Sequence, residues 1–383
     1  METILLKNAA AILPEERREN VSLLIEAGQI AEISFENKDF EAERTFDLGN
    51  LTLYAGFIDI HNHGAVGVDV NAADAASFLR VGKFLAKNGV TAWLPTFVPD
   101  ADENYQKTVA EIEKAKTIQK NEAAAQIVGI HYEGVFANEK MCGALRPQFF
   151  KNFKNGDETK FLPRLASGAH LTTLAPEIEN GIELISELIR QNWIVSIGHT
   201  KAVKETLRQA FAAGARHLTH FFNAMTGIHH RDLGVAGWAL TNKDVTFDII
   251  ADGIHVAPEM LEFACRTKSA EKVSLISDSV APTGLGDGDF EIWGEKVSVA
   301  AGRTQNERGS IAGSVITMRE AAKLMLSLGF SECEVSQMAS ANPARLLGIE
   351  KTRGSIQTGK RADLVALDEK GNVKLVLIGG RII

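Results

Sequence analysis

Between residues 56 and 278, short apolar runs alternate with longer stretches whose apolar residues recur every three or four positions. The short runs are Gly56–His61, Val90–Thr96, Ile127–Glu133, Leu171–Ala175, Ile194–His199, His217–His220, Thr246–Ala251 and Val273–Asp278. Near-continuous apolar character over so few residues is the pattern of strands buried on both faces. Helical spacing fills most of the gaps, over Asp74–Asn88, Ala101–Ala125, Gly181–Gln191, Lys201–Ala213 and Pro258–Arg266. Strand then helix, repeated about eight times, predicts an α/β fold and a closed (β/α)8 TIM barrel over residues 55–349. A doubly wound open sheet competes, but no Gly-rich dinucleotide loop follows the first strand.

The two ends have a different rhythm. Residues 1–54 hold short β-like runs at Thr3–Lys7, Val21–Glu26, Gln29–Ser34 and Thr45–Asp47, with charged loops between them. The tail from Gly354 repeats that character at Asp363–Asp368 and Val373–Ile378. Chain ends often lie close together, so a small β-sandwich domain built from residues 1–54 plus 350–383 is expected.

Composition narrows the function classes. The chain has 383 residues, 45% of them hydrophobic, and a formal net charge of -8 without a basic stripe. That argues against nucleic-acid or anionic-membrane partners. Cys142, Cys265 and Cys333 are few, odd in number and unclustered, which fits a reducing compartment and no disulfide framework. The start, Met1-Glu2-Thr3-Ile4-Leu5-Leu6-Lys7, lacks the pattern of a signal peptide, and no apolar run has transmembrane length. The cytoplasm is the expected location.

Candidate chemistry sits where a barrel would use it, at the C-terminal ends of its strands. His61 and His63 follow the first run, Glu133 the third, His199 the fifth, His220 the sixth and Asp278 the eighth. Residues i and i+2 of a strand share a face, so His61 and His63 point the same way. One such histidine is more often structural than functional; four, with two carboxylates at equivalent ends, favour a metal centre. Glu133, His199 and His220 supply the ligand set of an open catalytic zinc-type site, and His61 and His63 complete it or hold a second ion. Such a site activates water, and Asp278 can take the proton and pass it to a leaving group. Hydrolysis of an amide or related bond is the reaction this set suits.

The same residues carry a resemblance. Gly56-Phe57-Ile58-Asp59-Ile60-His61-Asn62-His63-Gly64, His131-Tyr132-Glu133-Gly134, Leu174-Ala175-Pro176-Glu177 and Ile197-Gly198-His199-Thr200 are similar to motifs of the amidohydrolase superfamily. Thr219-His220-Phe221-Phe222-Asn223-Ala224-Met225, Ala251-Asp252-Gly253-Ile254-His255-Val256 and Ile276-Ser277-Asp278 narrow it to the N-acetylglucosamine-6-phosphate deacetylases. Ile311-Ala312-Gly313-Ser314, Asn342-Pro343-Ala344-Arg345 and Ala362-Asp363-Leu364-Val365 extend the match to the tail. The resemblance implies hydrolysis of an N-acetylamino-sugar 6-phosphate, one or two divalent metal ions (zinc or iron), a homodimer, and Asp278 as catalytic acid/base. It implies substrate contacts by Gly143, Ala144, Asn223, Ala224 and His255, and a wall of the sugar pocket made by Ile311, Ala312 and Gly313. Arg231 matches an arginine that reaches a phosphate across the dimer, where a guanidinium fork suits a dianion. His229 and His230 are read as a solvated loop, and His131, His170 and His217 as structural.

One departure stands out. Leu145 occupies a position where such deacetylases carry a histidine close to the scissile amide, and leucine has no hydrogen bond to donate. Tyr132 and Val135 also differ from the usual Leu and Pro. N-Acetylglucosamine 6-phosphate is the expected substrate, with N-acetylgalactosamine 6-phosphate or another N-acyl sugar phosphate as alternative. A catalytically inactive scaffold is the remaining reading, weakened because every expected metal-binding residue is present.

Overall fold

The computed structural model describes residues 2–36, 38–154 and 157–383. Its centre is a ring of eight parallel strands: β1 Phe57–Asn62, β2 Val90–Phe97, β3 Gly129–Phe136, β4 Ala169–Leu174, β5 Ile194–Ile197, β6 His217–Leu218, β7 Thr246–Ile250 and β8 Val273–Ile276. Each pairs with the next from β1 through to β8. The seam between β8 and β1 closes just past the strands, where Asp278 N–H donates to the His61 carbonyl at 2.9 Å and His63 N–H to that of Ser279 at 2.8 Å. Asp59 is fully buried in this seam; burial raises its pKa, and hydrogen bonds from Ser277 Oγ at 2.6 Å and Asn62 Nδ2 at 3.0 Å offset that cost.

Ile58, Ile60, Ala92, Leu94, Leu171, Ile250 and Ile276 pack with Ala344 and Leu347 into one cluster. Residues from strands so far apart around the ring can meet only across the barrel interior. The outer layer holds α1 Ala75–Lys87, α2 Asp102–Ile118, α3 Gly181–Arg190, α4 Lys204–Ala212, α5 Gly234–Thr241, α6 Pro258–Lys268 and α7 Met318–Ser327. The reason for α1 is local: Asp74 caps it by accepting from Ser77 N–H at 2.8 Å, and Phe78, Val81 and Leu85 bury one stripe.

Strands Ile4–Ile12, Arg17–Glu26, Gln29–Ser34, Arg44–Asp47 and Thr52–Ala55 share an eight-stranded sheet with Leu364–Leu367, Val373–Ile378 and Arg381–Ile382. The ends join where Thr52–Ala55 pairs antiparallel with Leu364–Leu367. Leu6, Val21, Leu23, Leu53, Leu364 and Leu377 belong to its own core. An element beyond the expected ones follows β8: a three-stranded antiparallel meander of Gly288–Ile292, Glu295–Ala300 and Arg303–Asn306.

Candidate active site

Each strand end that carries chemistry also carries an unusual backbone. His199, His220 and Asp278 each stand two residues past their strands with φ of +47°, +29° and +49°. Left-handed backbone is costly for residues with a Cβ and persists where the surroundings hold it. Here the Asp278 carbonyl accepts from Ser314 N–H at 2.7 Å, and the His199 carbonyl accepts from Asn138 N–H at 3.1 Å. Asp248 accepts from the His220 N–H. Strand β3 runs past Glu133 to Phe136 with a register shift on the way, so the glutamate lies at an irregularity within the strand. After His63 the chain doubles back so tightly that a Cβ on Gly64 would come 1.9 Å from the Val68 carbonyl oxygen.

These placements bring four imidazoles and two carboxylates together. His199 Nε2 and His220 Nε2 lie 2.9 and 2.8 Å from Glu133 Oε1 and 3.0 Å from each other. His63 Nε2 is 3.2 Å from both Glu133 Oε2 and Asp278 Oδ1, and 3.1 Å from His61 Nε2. His61 Nε2 stands 3.5 Å from the same two carboxylates. Two groups of potential ligands result, His61 with His63 and Glu133, and Glu133 with His199 and His220; Glu133 belongs to both.

The donor chemistry fits a divalent cation. His63 Nδ1 lies 3.0 Å from the Thr96 carbonyl and His199 Nδ1 lies 2.8 Å from that of Met141. A carbonyl only accepts, so both Nδ1 atoms carry the proton and, in a neutral ring, Nε2 presents a lone pair. In neutral rings those lone pairs face carboxylate oxygens and other rings, a contact relieved by a cation between the partners or, without one, by a proton on the ring. Burial alone would lower the pKa of His63, but the Asp278 and Glu133 carboxylates outweigh it and raise it to about 10. Burial likewise works to raise Glu133 and Asp278, and the surrounding imidazoles, His61 first, pull both below the ordinary carboxylate range, Glu133 far below.

Above this floor opens a cavity of about 310 Å³. Among the expected substrate-contacting residues, Gly143, Ala144, Asn223, Ala224, His255, Ile311 and Gly313 line it. Asp252 holds the His255 ring through Nδ1 at 2.6 Å. Ala312 is buried behind the wall, with its N–H on Thr304 Oγ1 at 3.1 Å. Arg231 lies outside the lining, exposed in the 229–232 turn beside His230. Leu145 is buried against Gly134, where an added Cβ would meet its Cδ1 at 2.2 Å, and it lines the cavity. Tyr132, by contrast, faces the helix layer among Phe97, Tyr105 and Trp193, so that departure leaves the site alone.

Trp293 and Ser310 also line the cavity and escaped the sequence reading. The alternation of Phe290 and Ile292, then Val297 and Val299, around Trp293-Gly294 was the available signal for a hairpin there. Glu177, in the Leu174-Ala175-Pro176-Glu177 motif, fixes the loop after β5 by accepting from Lys201 N–H at 2.7 Å and Asn138 Nδ2 at 2.8 Å.

Residues 52–383 match the Amidohydrolase family. The N-acetylgalactosamine-6-phosphate deacetylase of Escherichia coli O157:H7 is 35% identical, across 86% of this chain and 87% of its own. The N-acetylglucosamine-6-phosphate deacetylase of Bacillus subtilis (strain 168) is 33% identical, across 100% and 97%. A solved mutant of the Mycobacterium smegmatis N-acetyl-D-glucosamine-6-phosphate deacetylase, in complex with N-acetyl-D-glucosamine-6-phosphate, superposes with a TM-score of 0.90 at 28% identity, covering 100% of this chain and 99% of that one. Similarity that runs from one end of the sequence to the other has a single reading: the chain belongs to the amidohydrolase family, within the group of its N-acetylglucosamine-6-phosphate deacetylases.

Proposed function

We propose that this protein is a metal-dependent hydrolase of amino-sugar catabolism that converts N-acetylglucosamine 6-phosphate to glucosamine 6-phosphate and acetate. The observation that carries the reading is the convergence of four imidazole Nε2 atoms on Glu133 beside Asp278, at the floor of a cavity lined by Asn223 and His255. One or two divalent cations, zinc or iron, would be held by Glu133, His199 and His220 and by His61, His63 and Glu133. Such a cation supplies a Lewis acid for the amide carbonyl and lowers the pKa of a water.

The chain's own residues do the rest. Asp278 is held ionised by the imidazoles around it, and so is ready to take a proton from the attacking water. It returns that proton to the amide nitrogen as the C–N bond breaks, and the amine leaves neutral. Asn223 and His255 bind sugar oxygens, with Gly143, Ala144, Ala224, Ile311 and Gly313 shaping the walls around them and Ala312 supporting the last two. Leu145 excludes water beside the acyl carbonyl and donates nothing to it. Among the described residues, no lysine or arginine lines the cavity, although the substrate carries a phosphate dianion. Arg231 would meet that need from a second copy of this chain in a homodimer. Three unpaired cysteines, and no helix of the described residues long and apolar enough to cross a membrane, support work in the cytoplasm.

N-Acetylgalactosamine 6-phosphate is the second reading, favoured by the 35% identity to the Escherichia coli enzyme named for it. Measuring kcat/KM on both epimers and on unphosphorylated N-acetylglucosamine, with metal content determined on the same sample, tests both. The gluco phosphate should lead; a lead for the galacto epimer reverses the sugar assignment, and no hydrolysis by metal-loaded protein refutes the activity. Asp278→Asn should keep its metal and lose about 10³-fold in kcat. A near-normal kcat in that variant would remove Asp278 from the acid/base role.

A further inference from the structure

We infer that Trp293 closes the acyl end of the catalytic cavity and sets the length of N-acyl group the enzyme accepts. The inference rests on the deacetylase reading and deepens it. The cavity lining falls into two chemically distinct groups. Asn223 and His255, on the loops after β6 and β7, offer hydrogen bonds, whereas Ala144 and Trp293, which pack in one cluster, and the neighbouring Leu145 offer apolar surface. Leu145 packs over Gly134, next to Glu133, and the Trp293 ring stands edge-on to His63 with centroids 5.3 Å apart. An amide whose carbonyl lies over the Glu133–Asp278 floor places its sugar on one side and its acyl carbon on the other. Sugar hydroxyls buried without partners are costly, so the sugar takes the polar end and the acyl methyl the apolar one.

Behind the indole lies a second cavity of about 380 Å³, lined by Asp69, Asn71, Asp100, Lys107 and Arg146 among others. Trp293 is the one described residue that lines both cavities, so its side chain is the partition between them. The partition is held in place. Trp293 and Gly294, with φ of +55° and +81°, form the two-residue turn between paired Ile292 and Glu295. Ile292 and Val297 pack on Val280 and Ala312, which ties the turn to the barrel. An acetyl group ends short of this wall. Each further methylene must push the indole against a fixed hairpin, and discrimination on the order of tenfold per methylene is expected. With the indole gone, the added carbons occupy its place and their ends reach the second cavity.

The test compares kcat/KM for the N-acetyl, N-propanoyl and N-butanoyl forms of glucosamine 6-phosphate, using metal-loaded wild type, Trp293→Ala and Trp293→Phe. Wild type should fall by about tenfold per added methylene. Trp293→Ala should raise the butanoyl-to-acetyl ratio at least tenfold, chiefly through KM, and Trp293→Phe should give an intermediate ratio. Should Trp293→Ala melt too low to assay, Trp293→Leu is read for the same ratio. A wild type that takes butanoyl as well as acetyl overturns the inference. So does a variant that loses activity on all three in proportion, since Trp293 would then only support His63. If wild type hydrolyses none of the three, the deacetylase reading fails and the acyl gate with it.

Discussion

His217 and His220 stand three residues apart on β6 and the turn that follows it, yet their rings live in opposite surroundings. His217 has an ordinary partner on each nitrogen, Thr246 Oγ1 at 2.7 Å and Asp248 Oδ2 at 3.0 Å. His220 Nε2 instead faces a carboxylate oxygen and another Nε2. The contrast extends round the barrel. His131 reaches Thr173 Oγ1 at 2.8 Å, and His170 accepts from Leu165 N–H at 3.0 Å through Nε2. Burial lowers the pKa of both rings, in His170 to about 4, with Arg164 adding to the effect. His63, also buried, is driven the other way by two carboxylates. Burial alone therefore does not separate a structural histidine from a reactive one. Position along the barrel axis does, because the Nε2 atoms of rings below the strand ends find fixed protein partners, while the Nε2 atoms of rings at those ends turn toward one another.

The comparison is open to attack at three depths. Glu133→Ala should have the largest effect, since that carboxylate serves both ligand groups: metal content should fall, with kcat down by 10³-fold or more by order of magnitude. Full metal content in the variant would show that the two groups do not depend on the shared carboxylate. His217→Phe should act on stability. It leaves the fully buried Asp248 without its ring partner and should cost about 3 kcal/mol in urea unfolding. Its metal-loaded, folded fraction should lose far less kcat than Glu133→Ala does, and equal losses would erase the division between the two sets.

The smallest effect belongs to His170. Its folded pKa of about 4 lies below its ordinary 6.5, so the unfolded chain takes up the proton first as the solution is acidified. Its contribution to stability is complete above pH 6.5 and is lost progressively toward pH 4. His170→Gln, which keeps an acceptor for Leu165, should flatten that part of the Tm-against-pH curve while leaving activity at neutral pH in place. An unchanged acid limb would mean that the ring is not held neutral.

Much of this was legible along the chain. The apolar runs of Val90–Thr96 and Val273–Asp278 announce doubly buried strands, and the polar residue that breaks each run marks the rim where chemistry gathers. Less legible was anything that depends on which neighbour a side chain finds. Tyr132 departs from the family pattern beside the key glutamate, but alternation across the strand turns it into the helix layer, where its hydroxyl donates to the Pro163 carbonyl at 2.7 Å. Leu145, a departure of the same kind, lies on the inner side and becomes part of the cavity. Trp293 carries no signal of its own in the sequence, because its importance comes from the fold-back of a meander onto His63.

The sequence by itself therefore determined the alternation of strand and helix, the pairing of the two ends in one β structure, and the residue types at the strand ends. Those features follow from spacing among near neighbours, which fixes the period of burial. Only the tertiary structure decided that Glu133 stands between two pairs of imidazoles, that Trp293 divides two cavities, and that the ring closes through Asn62 and Ser279, 217 positions apart. Such contacts join residues whose separation along the chain carries no periodic signal. They are set by barrel closure and by left-handed turns that the surrounding hydrogen bonds hold in place.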